Sequence, residues 1–295
     1  PALQDSDATV RANAVHLRPP DAIAPLVRDA NERVRLQALV SLGDAKNLIG
    51  PSTSVVDSWR SMKDPWTRNA AMRIAGKNPF ALVRLALASS DARDLAVEGV
   101  RRASRSAEAT RIVTLLGMET NVDSSFAAAL LDAIDSEPSA EAFADLGKLL
   151  RRDGTELPSA ALRLAGRWKI SDKFRAETDA LAERLSKVLE TEPSALATLL
   201  SIPDRRTRAI ESARTLLAPS RSPEQLARVI EALAAIDDPA AARVLCDAYP
   251  SLSATSQDRI FESLAARPIS TGVLLDAIEK DAIHTRDLSP ARLFR

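Results

Sequence analysis

The chain has 295 residues, 45% of them apolar but only 3% aromatic, and its 40 basic and 40 acidic side chains cancel. That balance argues against a dedicated nucleic-acid or anionic-membrane surface, although a local basic patch can survive it. A single cysteine, Cys246, excludes an internal disulfide and makes a metal cluster a poor fit, and no run of about 18 apolar residues exists to span a membrane.

The first informative stretch is Asp5-Ser-Asp-Ala-Thr-Val10-Arg11-Ala-Asn-Ala14, and it returns 24 residues later as Asp29-Ala-Asn-Glu-Arg-Val34-Arg35-Leu-Gln-Ala38. A looser third copy is Met62-Lys-Asp64-Pro65-Trp66-Thr67-Arg68-Asn-Ala-Ala71. Repetition on this scale marks a stack of helix pairs, because one pair cannot bury its apolar stripe alone. The leading acids Asp5, Asp29 and Asp64 read as helix N-caps, with Pro65 just inside the third start. Val34, Ala38 and Leu42 fall four apart on one face. The small alanine lets a neighbouring helix approach closely. Each arginine of the motif is expected to reach sideways to the capping acid of an adjacent repeat, giving a ladder of ion pairs. Gly43 is expected to end its helix at the position that follows the C-cap.

In chain order, the pattern predicts helices over 5–17, 20–28, 31–42, 51–62, 65–76 and 79–89, with Gly76-Lys-Asn-Pro79 as a turn. It continues over 91–105, 107–118, 121–134 with Asn121 as cap, and 138–152. Asp153-Gly154-Thr155 is the best break, dividing 1–152, where the repeats are clearest, from 153–295, where they are degenerate. A helix over 158–168 follows, then a long one capped by Asp172 with Phe174, Leu181, Leu185 and Val188 on its buried side. Helices over 193–201, 204–217, 223–235, 239–248, 255–266 and 268–280 complete the count, many of them opened by proline. The chain opens inside a repeat at Pro1 and closes one turn into a helix begun by Ser289-Pro290, like a piece of something longer. The expected fold is one all-α superhelix over 1–295, of nine to ten helix pairs with connections of two to eight residues.

Candidates for chemistry are few. His16 and His284 are far apart, and neither has a second His or Cys nearby to share a metal. Cys246 lies among apolar residues and reads as a small buried hydrophobe. No nucleophile elbow, phosphate-binding glycine loop or Cys-x-x-Cys-His motif is present. Asp179 and Glu183 lie four apart on one face, but Arg175 and Lys187 extend the same row, so a solvated ion-pair stripe is the better reading. No acid–base pair, cofactor site or metal site is nominated. Arg101-Arg102 with Arg105, Arg151-Arg152, and Arg205-Arg206 with Arg208 read as solvated faces or inter-repeat pairs, and next as docking points for an acidic partner. Trp59 and Trp66, with Arg68 and Arg73 close by, are the candidate partner surface. Packing between repeats is the preferred reading of these tryptophans and of Trp168, and a base-stacking surface is the alternative.

The repeat itself resembles the HEAT repeat, whose first helix often carries Asp…Val-Arg…Ala. The last ninety residues add order: Arg228-Val-Ile-Glu-Ala-Leu233, Asp238-Pro-Ala-Ala-Ala-Arg-Val-Leu245, Tyr249-Pro-Ser-Leu252, Leu264-Ala-Ala-Arg267-Pro268, Leu274-Leu275-Asp276-Ala277-Ile278-Glu279, and Asp287-Leu288-Ser-Pro. This order resembles the HEAT-like region of large exported dehydrogenase–cytochrome proteins of planctomycetes and related bacteria. The resemblance implies a scaffold, or protein-interaction segment, between an N-terminal dehydrogenase-like β-propeller and a C-terminal c-type cytochrome module. It implies protein partners, an exported or periplasmic parent, and haem c elsewhere in that parent, with no catalytic residue carried over to this chain. Two other HEAT-like classes stand as alternatives: nucleic-acid-binding proteins of the DNA glycosylase kind, with a basic concave face, and lyases that handle tetrapyrroles. The latter need a pocket with a working acid, and the sequence offers no candidate.

Overall fold

A computed structural model describes residues 2–45 and 49–284. Among the described residues the chain is all-α, with eighteen α-helices, short 3-10 turns and no strand. It packs as two units, one up to Phe174 and one from Arg175 onward. The helix expected after Ser289-Pro290, and the start at Pro1, lie outside the described residues.

The first unit contains α1 (Ala8–Ala14), α2 (Pro20–Ile23), α3 (Glu32–Gly43), α4 (Ile49–Ser58), α5 (Pro65–Lys77) and α6 (Pro79–Ala88). It continues with α7 (Arg93–Arg102), α8 (Ala107–Met118), α9 (Ser124–Asp132), α10 (Ala140–Leu150) and α11 (Glu156–Arg167). Odd-numbered helices pack on the odd helix one repeat away, and even-numbered helices on the even one, which makes two layers. This is the all-α helical-repeat packing read from the sequence. Val34, Ala38 and Leu42 are fully buried on α3, which packs on α1, α5 and the 3-10 turn Ala24–Arg28, as their four-residue spacing requires. Val10 of the first copy is instead 39% exposed, because α1 has only the 3-10 turn Ala2–Gln4 where α3 has a helix.

The first two caps sit two residues after the acids that the motif nominates, and the third sits where the motif places it. Asp7, Asn31 and Asp64 are the N-caps, and each side chain accepts from first-turn amides. Asp5 and Asp29 lie two residues earlier and accept from the Asp7 and Asn31 amides at 2.9 and 2.8 Å, so they form the turn that enters the helix. Of the three nominated acids only Asp64 is a cap. The motif arginine also has a second duty. Arg11, Arg35 and Arg68 donate to the carbonyls of Asp5, Asp29 and Met62 at 2.7, 2.8 and 3.3 Å, always six residues back. Each ties its own helix to the entering loop.

The ladder exists, but its rungs are not uniform. Arg11 pairs with Asp29, and Arg68 reaches Asp94 at 3.5 Å, whereas Arg35 turns to Glu32 on its own helix at 3.6 Å. The position that would receive Arg35 is Met62, which carries no charge. Further rungs join Arg93 to Asp123 at 2.9 Å and Arg163 to Asp132 at 2.6 Å. Helix C-termini are tied in the same way: Lys77 donates to the Gly43 carbonyl, Arg152 to Glu119 and Thr120, and Arg167 to Leu131. A cation from one repeat thereby satisfies carbonyls that the previous helix leaves open.

Several boundaries move, each for a local reason. Helices expected over 5–17 and 20–28 tighten into 3-10 turns at Val15–Leu17 and Ala24–Arg28. Gly43 is the last residue of α3 and lacks the left-handed φ of a terminating glycine; among the described glycines only Gly154, in the turn after α10, has it, at φ 80°. Helix α5 runs through Gly76 to Lys77, so the turn shrinks to Asn78, whose side chain caps α6. Asp123, not Asn121, caps α9, and α10 begins at Ala140 behind the cap Ser139 and not at Pro138, because the Asp123 and Ser139 side chains accept from the Phe126 and Ala142 amides. The turn at 153–155 lies within the first unit, since α10 and α11 pack together.

The second unit contains α12 (Arg175–Val188), α13 (Ala195–Ser201), α14 (Pro203–Leu216), α15 (Pro223–Ala234), α16 (Pro239–Ala248), α17 (Ala254–Ala265) and α18 (Pro268–Glu279). The alternation continues: α13, α15 and α17 pack in one series and α14, α16 and α18 in another. Proline opens α14, α15, α16 and α18, where the missing amide costs nothing. Phe174 lies in the preceding 3-10 turn Ser171–Phe174, against Phe143, so the helix expected from Asp172 begins only at Arg175. Leu181 and Leu185 are buried as expected, and Leu189 takes the place of the half-buried Val188. Arg206 repeats the six-residue bond, to the Leu200 carbonyl at 3.0 Å. Arg221 and Arg267 repeat the C-terminal tie, to Glu190 at 2.6 Å and Ala235 at 2.9 Å.

Candidate interaction surface

The nominated partner surface is built where α4 ends and α5 begins. A 3-10 turn, Trp59–Ser61, carries the first tryptophan, and the cap Asp64 starts the helix that carries Trp66, Arg68 and Arg73. The structure separates the two tryptophans. Trp59 is 4% exposed, and its indole N–H is shared between the Asp94 carboxylate oxygens at 2.8 and 3.0 Å. The Arg68 guanidinium lies 3.9 Å from the Trp59 ring centre and reaches the same carboxylate. Trp59 thus fills a gap between repeats, held by a stacked cation and a shared acid. Trp66 is 72% exposed.

The arginines near Trp66 are mostly engaged. Arg60 pairs with Asp91 and Arg73 with Asp44, both at 2.6 Å. The acids that receive them come from other repeats, which sequence spacing alone did not reveal. Lys63 and Arg33 have no partner among the described residues. Arg33 follows its cap Asn31 by two residues as Trp66 follows Asp64, and α3 packs on α5, so the two sit at matching places on adjacent helices. The result is one exposed indole, two cations without a partner among the described residues, and a set of surface ion pairs.

A scan against models of known protein families matches none, and a search of curated proteins finds no match.

The remaining candidates have local roles. Asp179 and Glu183 share Arg205 of α14 at 3.5 and 3.0 Å, a cross-helix pairing and not the same-helix row expected with Arg175 and Lys187; Arg175 instead faces Asp204 at 3.7 Å. Trp168 is buried at the end of α11 and donates to the Ser136 carbonyl. Cys246 is 4% exposed, and burial first, then the neighbouring Asp247, pushes its thiol up to about 11. His284 contacts Asp281 at 2.6 Å, and His16 is exposed. The carboxylates with resolved shifts, Asp7, Asp29, Asp64, Glu98 and Asp123, are all moved downward. They favour the charged form, the direction expected of caps and ion pairs and opposite to that of a general acid. Among the described residues no group of three His, Cys, Asp or Glu is placed to hold a metal. No described helix is long and apolar enough to cross a membrane.

Proposed function

We propose that the chain is a non-catalytic helical-repeat scaffold that engages a protein partner through the rim around Trp66. The observation that carries this reading is Trp66 itself, a large indole 72% exposed on a helix near which Arg60 and Arg73 are already paired. Exposed aromatics on rigid elements are the usual anchors of protein interfaces. The downward carboxylate shifts and the raised Cys246 thiol support a role without proton transfer or a thiolate nucleophile in this segment.

The finer reading is a scaffold within a larger exported oxidoreductase, between a dehydrogenase-like propeller and a c-type cytochrome. It rests on the family resemblance alone, which extends over the whole chain and is strongest from about residue 222 onward. Haem would be held outside this chain, which has one buried cysteine and no Cys-x-x-Cys-His sequence. The nucleic-acid reading is disfavoured by the pairing of Arg60, Arg68 and Arg73 with acids. The test is calorimetric titration of the purified chain against the isolated propeller and cytochrome portions of its parent polypeptide. Binding that Trp66→Ala weakens about tenfold or more is expected, the size of a hot-spot residue. A haem absorption band from this chain alone, or sugar turnover with a dye acceptor, would overturn the scaffold reading.

A further inference from the structure

The turn between α9 and α10 and the end of α11 enclose a feature that the scaffold reading does not use. Asp135, Ser136, Glu137 and Pro138 face Arg167, Trp168 and Lys169 across a cleft of about 410 Å3. Small-ligand sites are roughly 300–1,000 Å3. Its walls are fixed to one another. The Trp168 indole donates to the Ser136 carbonyl, Arg167 donates to the Leu131 carbonyl at 2.7 Å, and the Asp135 amide donates to the Ser104 carbonyl at 3.1 Å.

The charges of the lining do not cancel. Asp135 is answered by Arg105 at 3.7 Å. Asp132, behind the cleft, is gripped by both arms of Arg163 at 3.0 and 2.6 Å, which leaves Arg167 a contact of only 3.8 Å. Burial pushes the Arg167 guanidinium below its ordinary range, as expected where the positive charge lacks a close counter-charge. Lys169 has no partner among the described residues and holds a left-handed backbone, φ 55°, where a side chain brings no conformational gain. Ser136 is 7% exposed, and its hydroxyl has no hydrogen-bond partner among the described residues. Glu137 is the one acid of the lining without a cation partner among the described residues. Two bases against it leave a surplus of one positive charge.

We propose that this cleft binds a carboxylate, with Arg167 and Lys169 donating to its oxygens. A monoanion matches the surplus, whereas Glu137 opposes a second negative charge. Carboxylates reach such a cleft as free small molecules or as acidic side chains of a peptide, and both present the same planar pair of oxygens.

The test follows the Trp168 indole N–H resonance of the full chain during titration with acetate, with the peptide acetyl-Gly-Glu-Gly-amide and with its Gln counterpart, against sodium chloride at equal ionic strength. A saturable shift with acetate, with the Glu peptide or with both, and none with the Gln peptide, is expected. Acetate alone assigns the cleft to free carboxylates, and the Glu peptide assigns it to acidic segments. Lys169→Gly relaxes the left-handed backbone, so it folds at least as well as the parent chain. It should nevertheless weaken binding about tenfold, the effect of one charge-assisted hydrogen bond, and Arg167→Gln should do the same. No shift beyond that of chloride, or wild-type affinity in both variants, overturns the proposal. Neither result bears on Trp66, so this site and the scaffold reading can fail separately.

Discussion

Arg11 grips Asp29 with two parallel bonds, Nε to Oδ2 and Nη2 to Oδ1, each 2.8 Å long. The side chains are 16% and 7% exposed, so this is a shielded, two-point contact between the first two repeats. The Arg11 guanidinium, first among the causes, holds the Asp29 carboxyl below its ordinary value of 3.8. Because the folded value is the lower one, the contribution is fully present above about pH 3.8 and is lost as pH falls through the folded value. Asp29→Asn keeps an acceptor for the Asn31 amide but removes the charge. It should cost about 1 kcal/mol at pH 7 in urea unfolding. The gap to wild type should close as the pH is taken below 3.8. A gap that persists there would contradict the assignment. Asp123, lowered to about 2 chiefly by the Phe126 amide, has its own window between 3.8 and that value.

Two helical glycines should respond in opposite directions to alanine. A β-carbon on Gly117 would stand 2.7 Å from the Asp145 Cβ, closer than real side chains come, so α8 and α10 would have to part. Gly117→Ala should destabilise by about 1–3 kcal/mol despite its better helix propensity. On Gly272 of α18 a β-carbon meets nothing within 4 Å, and Gly272→Ala should stabilise by about 0.5–1 kcal/mol. Thermal unfolding of both variants checks the pair.

The tryptophans should separate in the same way. Trp59→Phe leaves Asp94 without the indole N–H and should cost about 1–2 kcal/mol. Trp59→Ala should cost about 3–5 kcal/mol. Trp66→Ala should stay within about 0.5 kcal/mol of wild type, since its ring touches mainly solvent. A large loss at Trp66 would mean that it packs and does not present a surface.

Duplex DNA should bind weakly, with a shallow dependence on salt. Each phosphate neutralised contributes about 0.9 to the slope of log affinity against log salt, and Lys63 and Arg33 are the two cations of this region without a partner among the described residues. A slope of about 2 or less in a fluorescence titration agrees with that count, and a slope near 6 would restore the nucleic-acid reading.

Cys246 should react slowly with a thiol reagent at pH 8. Its thiol is raised to about 11 and 4% exposed, so both thiolate fraction and access are small. Rapid labelling in the native state would show that α16 opens.

The sequence by itself determined that this chain is helical, that its helices recur as pairs, and that proline and Asp/Asn punctuate them. Those features are local: a four-residue apolar spacing, a short side chain reaching the next amides, a ring that lacks an N–H. It also identified the burial of Val34, Ala38 and Leu42, which follows from spacing once helices stack. Tertiary structure alone decided which acid each arginine answers. Arg68 and Trp59 meet Asp94, Arg205 meets Asp179 and Glu183, and Arg167 is left short because Arg163 takes Asp132. Tertiary structure also separated two tryptophans that sequence placed side by side, burying Trp59 and exposing Trp66. The physical reason is that exposure and charge pairing depend on the neighbouring repeat about 30 residues away, and no local pattern records which residue arrives there.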